Sequence, residues 1–327
     1  MPSVLFVGGT GTISAACVPV ALARGWDVTV LNRGASSLRR LPAGVRAAHA
    51  DVRDPAAVRA ALGQRTFDAV ADFVSFTPEH ARTAVDLFAG RTGQYLYISS
   101  ASAYQTPPAR LPVTEETPLE NPYWQYSRDK AASEDLLFRE HREAGFPVTV
   151  VRPSHTYDHT RIPTFGGWTD VERLRRGAPV VVLGDGTTRW TVTRAKDFAI
   201  GFTGLLGRAE ALGEAFHITF DLAPTWNEIY TTLADLLGVR PELAHVPAEA
   251  IAAVDERLGA SALGDKANDF VLDNSKIRSL VPEFAPVATL EEGFAESLDW
   301  YLAEESRQGG EAHLEAVFDQ VVRSTVR

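Results

Sequence analysis

Short apolar runs alternate with stretches whose apolar residues recur at helical spacing through the first half of the chain. The runs Val4–Val7, Val28–Leu31, Arg46–His49, Ala69–Phe73, Tyr95–Ser99 and Val148–Val151 predict strands. Between them, Pro55–Leu62, Pro78–Phe88 and Tyr126–Ala144 predict helices. The strand runs lack a clean apolar–polar alternation, which predicts a sheet buried on both faces. Strands alternating with helices predict an α/β fold: a doubly wound parallel sheet with right-handed crossovers.

After Pro153 the pattern loosens. Loops such as Gly166-Gly-Trp168 and Gly184-Asp-Gly186 appear, and the clearest helices, Thr225–Leu237, Ala248–Leu258 and Leu290–Glu304, no longer alternate with strands. This predicts a dinucleotide-sized first domain over residues 1–153, with elements able to return to it later, and a smaller α/β substrate lobe over 154–327. Leu314, Val317, Phe318 and Val321 put an apolar stripe on a last helix, which docks on the body or on another subunit. Pro19 falls inside the expected first helix and predicts a kink or a shifted start.

Composition narrows the function classes. Among 327 residues, 42 acids outweigh 32 lysines and arginines, giving a formal charge of −10, which argues against a general nucleic-acid binder. The one cysteine, Cys17, permits no internal disulfide and sits where a small buried residue belongs. No apolar run is long enough to cross a bilayer, no leader pattern precedes the first strand, and the cytoplasm is the expected location. No metal-ligand spacing stands out, so no catalytic metal is expected.

The first strand runs directly into Gly8-Gly-Thr-Gly11-Thr12-Ile13-Ser14. Gly8 and Gly11 let backbone amides approach a pyrophosphate at the start of the following helix. Ser14 occupies the third small position in place of glycine. The setting, strand then glycine turn then helix, is that of a Rossmann dinucleotide site; its alternative is a tight turn with no ligand. At the end of the second strand, where an acid would bond the adenosine ribose, the chain has Asn32-Arg33. That leaves NAD or NADP open and leans toward NADP, because Arg33 can pair with a 2′-phosphate. Asp51-Val52 ends the third strand and reaches toward the adenine, or Asp51 caps the helix near Pro55.

Tyr126 and Lys130 are four residues apart and share a helix face. A free phenol is a poor base at neutral pH, so this pair reads as a tyrosine whose proton affinity a neighbouring ammonium lowers. Such a tyrosine can take a hydroxyl proton while the carbon gives up a hydride. The serine-rich strand end Ile98-Ser-Ser-Ala-Ser-Ala-Tyr104 can supply a hydroxyl to the reacting oxygen, or can be a polar turn satisfying its own backbone.

With these motifs, and with Asp51-Val-Arg-Asp54, Thr114-Glu-Glu-Thr-Pro118, Val151-Arg-Pro-Ser-His-Thr-Tyr157, Gly184-Asp-Gly186, Asp273-Asn-Ser-Lys276 and Leu290-Glu-Glu-Gly293, the chain resembles an extended short-chain dehydrogenase/reductase of the NAD-dependent epimerase/dehydratase group, in an atypical branch. The resemblance covers nearly the whole chain. It implies Ser100 as the active-site serine, with Ser99 on the other strand face and Ser102 as the fallback. It implies that Lys130 also holds the nicotinamide ribose, that Phe73 and Pro153 line the cofactor, that Tyr157 lies in the loop above it, and that Arg189 grips a nucleotide diphosphate. His155 is a further substrate-side candidate, against a structural histidine as the alternative.

The departures matter as much. Family dehydratases carry an Asp-Glu pair directly after the active-site hydroxyl residue, and decarboxylating relatives a glutamate; here Ala101 and Ser102 follow Ser100. Elimination and decarboxylation are disfavoured. Asp72-Phe-Val-Ser-Phe76 replaces a small strand end, and the bulk of Phe73 and Phe76 is expected to reshape the substrate side. The expected activity is epimerisation through a keto intermediate at a hydroxyl-bearing carbon of a sugar, nucleotide sugar or related polyhydroxylated metabolite. The alternatives are an NADP-dependent ketoreductase and, in a different class, a non-catalytic dinucleotide-sensing or RNA-binding relative. A homodimer paired through the helices carrying Tyr126 and Pro78–Phe88 is implied by the resemblance.

Overall fold

The computed structural model describes residues 1–34 and 38–325. Six strands and four helices make the first half: β1 (Ser3–Val7), α1 (Ser14–Ala23), β2 (Asp27–Asn32), β3 (Arg46–His49), α2 (Pro55–Leu62), β4 (Ala69–Asp72), α3 (Pro78–Phe88), β5 (Tyr95–Ile98), α4 (Gln125–Ala144) and β6 (Val148–Arg152). There follow β7 (His155–Tyr157), α5 (Trp168–Arg175), β8 (Val180–Leu183), β9 (Val192–Arg194), α6 (Ala195–Leu205) and β10 (Ala215–His217). The chain ends with α7 (Trp226–Leu237), β11 (Leu243–Val246), α8 (Ala248–Val254), α9 (Glu256–Ser261), α10 (Ser275–Leu280), α11 (Leu290–Leu302) and α12 (Ala312–Thr325).

Seven strands form one parallel sheet in the order β10-β6-β5-β4-β1-β2-β3. Successive residues of β1 go to opposite faces: Val4 and Phe6 pack with α1 and α6, Leu5 and Val7 with α2 and α3. The fold is therefore the doubly wound α/β sheet that the apolar runs predicted. Strand order reverses beside β1, which opens a crevice between the carboxyl ends of β1 and β4. The second lobe has its own apolar core, built on the β8–β11 pair and covered by α5, α7, α8, α11 and α12. The last helix docks on this lobe through Leu314, Val317, Phe318 and Val321.

Local chemistry sets the helix ends. Asp54 caps α2 by accepting from Ala56 and Ala57 N–H, with Pro55 at the first helical position. Asp51 is thus not the cap; it accepts from Arg53 N–H and faces the crevice. Reciprocal capping boxes start α7 (Thr225, Glu228) and α11 (Thr289, Glu292). The helix expected over 248–258 breaks at Asp255, which leaves helical backbone and caps α9 through Leu258 N–H. Helix α1 starts at Ser14 and continues through Pro19, which lies on the exposed face. The start is not shifted: the ring projects outward, and the one N–H it lacks would have paired within the first turns.

Candidate functional site

The glycine turn leaves β1 at the crevice. Gly8 has φ +86°, and a Cβ there would sit 2.4 Å from Val74 Cγ1. Ser14 crosslinks the turn: its hydroxyl donates to Gly8 O at 2.6 Å and accepts from Gly11 N–H at 2.8 Å. The residue that weakened the glycine pattern is therefore what fixes it. Gly8, Gly11, Thr12, Ile13, Asn32, Arg33, Asp51, Val52 and Phe73 all line one cleft of about 760 Å³. Val74, Arg53 and Ile98 complete its wall. The side-chain-free approach at Gly8 and Gly11, open beside the first helix, fits a dinucleotide pyrophosphate. The adenosine end carries Arg33 and Arg53 together with Asp51.

Another cavity, of about 390 Å³, opens beside Tyr126, between the end of β5 and the second lobe. Ser100, Ser102, Tyr126 and His155 line it, with Trp124, Trp190, Arg161 and the Asp265–Lys266 pair opposite. Ser100 caps a 3₁₀ turn (Ala101–Ala103) and meets the Ser102 hydroxyl at 2.9 Å; Ser127 donates to Ser102 at 3.0 Å. Ser102 is the buried middle link of this chain of hydroxyls, with Ser127 at the inner end and Ser100 at the outer one.

Burial pushes the Tyr126 phenol up to about 12; the Ser100 hydroxyl pulls it down, and the Asp265 charge pushes it up again. The expected lowering by Lys130 is not present in the protein alone. The Lys130 ammonium donates instead to Ser75 O and Ile98 O, each at 2.7 Å, and lies 5.8 Å from the Tyr126 ring centre. Burial brings its pKa down to about 8, against the opposing pull of Asp72 and Glu134. The carbonyl of Ser75 is fixed by Asp72, whose carboxylate accepts from Val74 N–H, Ser75 N–H, the Ser75 hydroxyl and the Tyr95 phenol. Glu134, one helical turn beyond Lys130, pairs with Arg152 of β6 at 2.6 Å. Arg152 continues to Tyr104, whose phenol meets His217 Nε2 at 2.6 Å. This buried, mutually satisfied network ties α4 to the sheet.

Several expected placements differ. Phe73 and Phe76 line the dinucleotide cleft rather than the substrate side; Phe73 stacks on Phe6, and Phe76 lies over the Lys130 ammonium at 4.9 Å. Tyr157 is buried against Phe294 in the second core, because β7 turns it inward, and it does not reach the cavity beside Tyr126. Arg189 is exposed, with its backbone N–H held by Asp269 at 2.6 Å, and the next residue, Trp190, faces the cavity instead. Pro153 is buried behind the serine turn, its carbonyl accepting from Ala101 N–H. Burial, together with the charges of Arg161 and Lys266, pushes the His155 imidazole well below its usual pKa, so it is neutral.

Sequence reasoning missed Arg161, Trp124 and the Asp265–Lys266 pair. The last two stand on a π-helical turn (Ala262–Lys266), a rare local geometry with no sequence signature. Among the described residues no group of three or more His, Cys, Asp or Glu side chains is placed to hold a metal ion. No helix among the described residues is long and apolar enough to cross a membrane.

Comparison with known proteins agrees with this architecture. The sequence model of the NAD dependent epimerase/dehydratase family matches residues 4–219. The chain belongs to that family of short-chain dehydrogenase/reductase enzymes. It is 28% identical over 287 residues to 2′-dehydrokanamycin reductase of Streptomyces kanamyceticus, covering 86% of this chain and 79% of that protein. It is 26% identical over 255 residues to chloroplast stem-loop binding protein of 41 kDa b of Arabidopsis thaliana, covering 74% of this chain and 65% of that protein. The fold matches dTDP-glucose 4,6-dehydratase of Bacillus anthracis, solved in complex with NAD, with a TM-score of 0.74 at 18% identity, over 94% of this chain and 98% of that one.

Proposed function

We propose that the protein transfers a hydride between a nicotinamide dinucleotide and a hydroxyl-bearing carbon of a polyhydroxylated, sugar-type metabolite, with Tyr126 moving the hydroxyl proton. The observation that carries this reading is the position of Tyr126 on the wall of the polar cavity, with Ser100 beside its phenol, the Lys130 ammonium 5.8 Å from its ring centre, and Phe76, which lines the glycine-turn cleft, packed against its ring. The glycine turn, Arg33 and Lys130 hold the cofactor; when bound, it supplies the hydride acceptor and donor. Ser100 hydrogen-bonds the reacting oxygen and keeps it at the phenol. Two of the three Lys130 N–H donors are spent on carbonyls, which leaves one for a ligand hydroxyl.

A phenol held near 12 is protonated at neutral pH, so in the protein alone it is a proton donor. The ketone-reducing direction is favoured by the similarity to 2′-dehydrokanamycin reductase. Net reduction is therefore carried beside oxidation–reduction epimerisation, and stoichiometry separates them: a reductase consumes one reduced cofactor per product, an epimerase none. Ala101 and Ser102 in place of acids support neither dehydration nor decarboxylation.

RNA binding, suggested by the name of the chloroplast relative, is disfavoured by the charge of −10. Pairing of two copies through α3 and α4 and a cytoplasmic location complete the reading; light scattering tests the first. The deciding variant is Tyr126→Phe. Its expected outcome is unchanged NAD binding by calorimetry with turnover reduced by ~10²–10⁴-fold; wild-type turnover in that variant overturns the proposal.

A further inference from the structure

The cavity beside Tyr126 holds more hydrogen-bonding capacity than the protein itself satisfies. Arg161 lines it and makes no side-chain hydrogen bond or ion pair among the described residues. Trp190 is 2% exposed, lines the same cavity, and its indole N–H has no acceptor. An indole nitrogen only donates, so what completes it is an acceptor. His155 Nε2 is likewise buried and unpaired. Buried polar atoms left without partners are rare in folded proteins, and two of them border one cavity here.

The charges point the same way. The Lys266 ammonium is answered by Asp265 at 3.0 Å, and it also donates to Ser261. His155 is neutral. Among the residues lining the cavity, Arg161 and Lys266 against Asp265 leave an excess of one positive charge; the Arg161 guanidinium is exposed, makes no ion pair, and feels the Asp158 carboxylate, which is itself paired with Arg39. Arg189, the residue expected to hold a diphosphate, faces out of the cavity. Trp124, Trp190 and Phe165 contribute ring surface to the same walls, suited to the apolar face of a cyclic polyol.

We propose that the substrate is a cyclic polyol bearing a single oxyanion, a carboxylate or a monophosphate, and that Arg161 selects it, with the Trp190 N–H as a second donor. The assignment rests on the reading of this cavity as the substrate site. It excludes a nucleoside diphosphate gripped through Arg189, and it excludes a polyamine, which would meet an uncompensated cation. A guanidinium presents paired N–H donors in the geometry that both carboxylate and phosphate oxygens accept, so the two sources share one recognition chemistry.

The test is calorimetric titration of the NAD-saturated protein with D-glucose, D-glucosamine, D-glucuronate and D-glucose 6-phosphate. The expected result is that one of the two anionic sugars binds at least ~10-fold more tightly than glucose, with glucosamine the weakest; which anion wins distinguishes carboxylate from phosphate. Arg161→Gln is expected to abolish the advantage and to leave NAD binding intact, and Trp190→Phe, which keeps the ring and removes the donor, to reduce it ~3-fold. The assignment is overturned if neither anion is preferred by the wild type, whether all four sugars bind alike or none binds, or if Arg161→Gln keeps the preference. Failure of the wild type to bind NAD would instead defeat the underlying functional reading.

Discussion

The glycine-turn cleft and the cavity beside Tyr126 are built on different principles. The dinucleotide cleft is made from the carboxyl ends of adjacent parallel strands, β1, β2, β3 and β4, so each wall is a short stretch immediately after a strand. Its backbone is over-determined: Ser14 bonds two points of the glycine turn, and Asp72 accepts four hydrogen bonds under the next loop. The substrate cavity draws on segments far apart in sequence, from Ser100 and Trp124 through His155 and Trp190 to Lys266. It keeps unpaired polar atoms and a buried, charge-bearing π turn. One side is rigid and generic; the other holds unsatisfied chemistry, and specificity resides there.

The contrast is open to attack at several points. The largest effect is expected on the rigid side. Gly8→Ala forces a Cβ to 2.4 Å from Val74 Cγ1 at a backbone angle that favours glycine. At ~1–3 kcal/mol of strain, NAD affinity is expected to fall ~10–100-fold, measured by calorimetry. Unchanged affinity would show that the turn yields easily. Next, Ser100→Ala is expected to slow turnover ~10–100-fold, and Ser102→Ala by less, since Ser102 is buried one hydroxyl further in. Steady-state kinetics that rank the two the other way would move the role inward.

A smaller effect is expected from Arg33→Ala, which should weaken NADP by ~10-fold while changing NAD little, because only the former offers a phosphate to a guanidinium at that end of the cleft. Equal weakening of both would remove Arg33 from cofactor choice. The smallest effect on turnover, and a distinct one on stability, is expected at Asp170. This buried carboxyl accepts from Gly166 N–H and the Tyr230 phenol, behind Thr164 and Phe165 of the substrate cavity. Burial raises its pKa from 3.8 to about 6. Between those values the unfolded chain has released the proton that the folded chain keeps, so this group makes stability fall as pH rises through that window and leaves its full penalty above it. Asp170→Asn should flatten that part of the denaturation-midpoint profile; an unchanged slope would place the titration elsewhere.

What was legible in the sequence follows the same division. Strand ends and glycine turns are local, so the apolar runs foresaw six of the seven strands, and the residues expected around Gly8-Gly-Thr-Gly11 and the next strand ends line one cleft, whereas Lys130 and Pro153 do not line it. The helical spacing of Tyr126 and Lys130 placed both on α4, but the direction of the Lys130 amine depends on two carbonyls from other loops, Ser75 and Ile98. No spacing rule encodes that. Arg189 and Trp190 show the limit on the substrate side: neighbours in an extended segment face opposite ways, so a register error of one residue exchanges an exposed cation for a buried indole. Arg161 and the Asp265–Lys266 turn reach the cavity only through packing of the second lobe.

The seventh strand of the sheet, β10, arrives after the chain has already travelled through β7, α5, β8 and β9, and α6 packs on α1 beneath the glycine turn. The path then leaves again for α7 to α9 and returns with α10 against β10 and α6. The two halves are laced together instead of joined at one pivot. Truncation after residue 153 would strip the nucleotide fold of an edge strand and a covering helix, leaving bare the apolar surface they cover at Phe6, Val18, Ala21 and Val151. A chain that crosses between the halves more than once offers no single linker about which they could hinge.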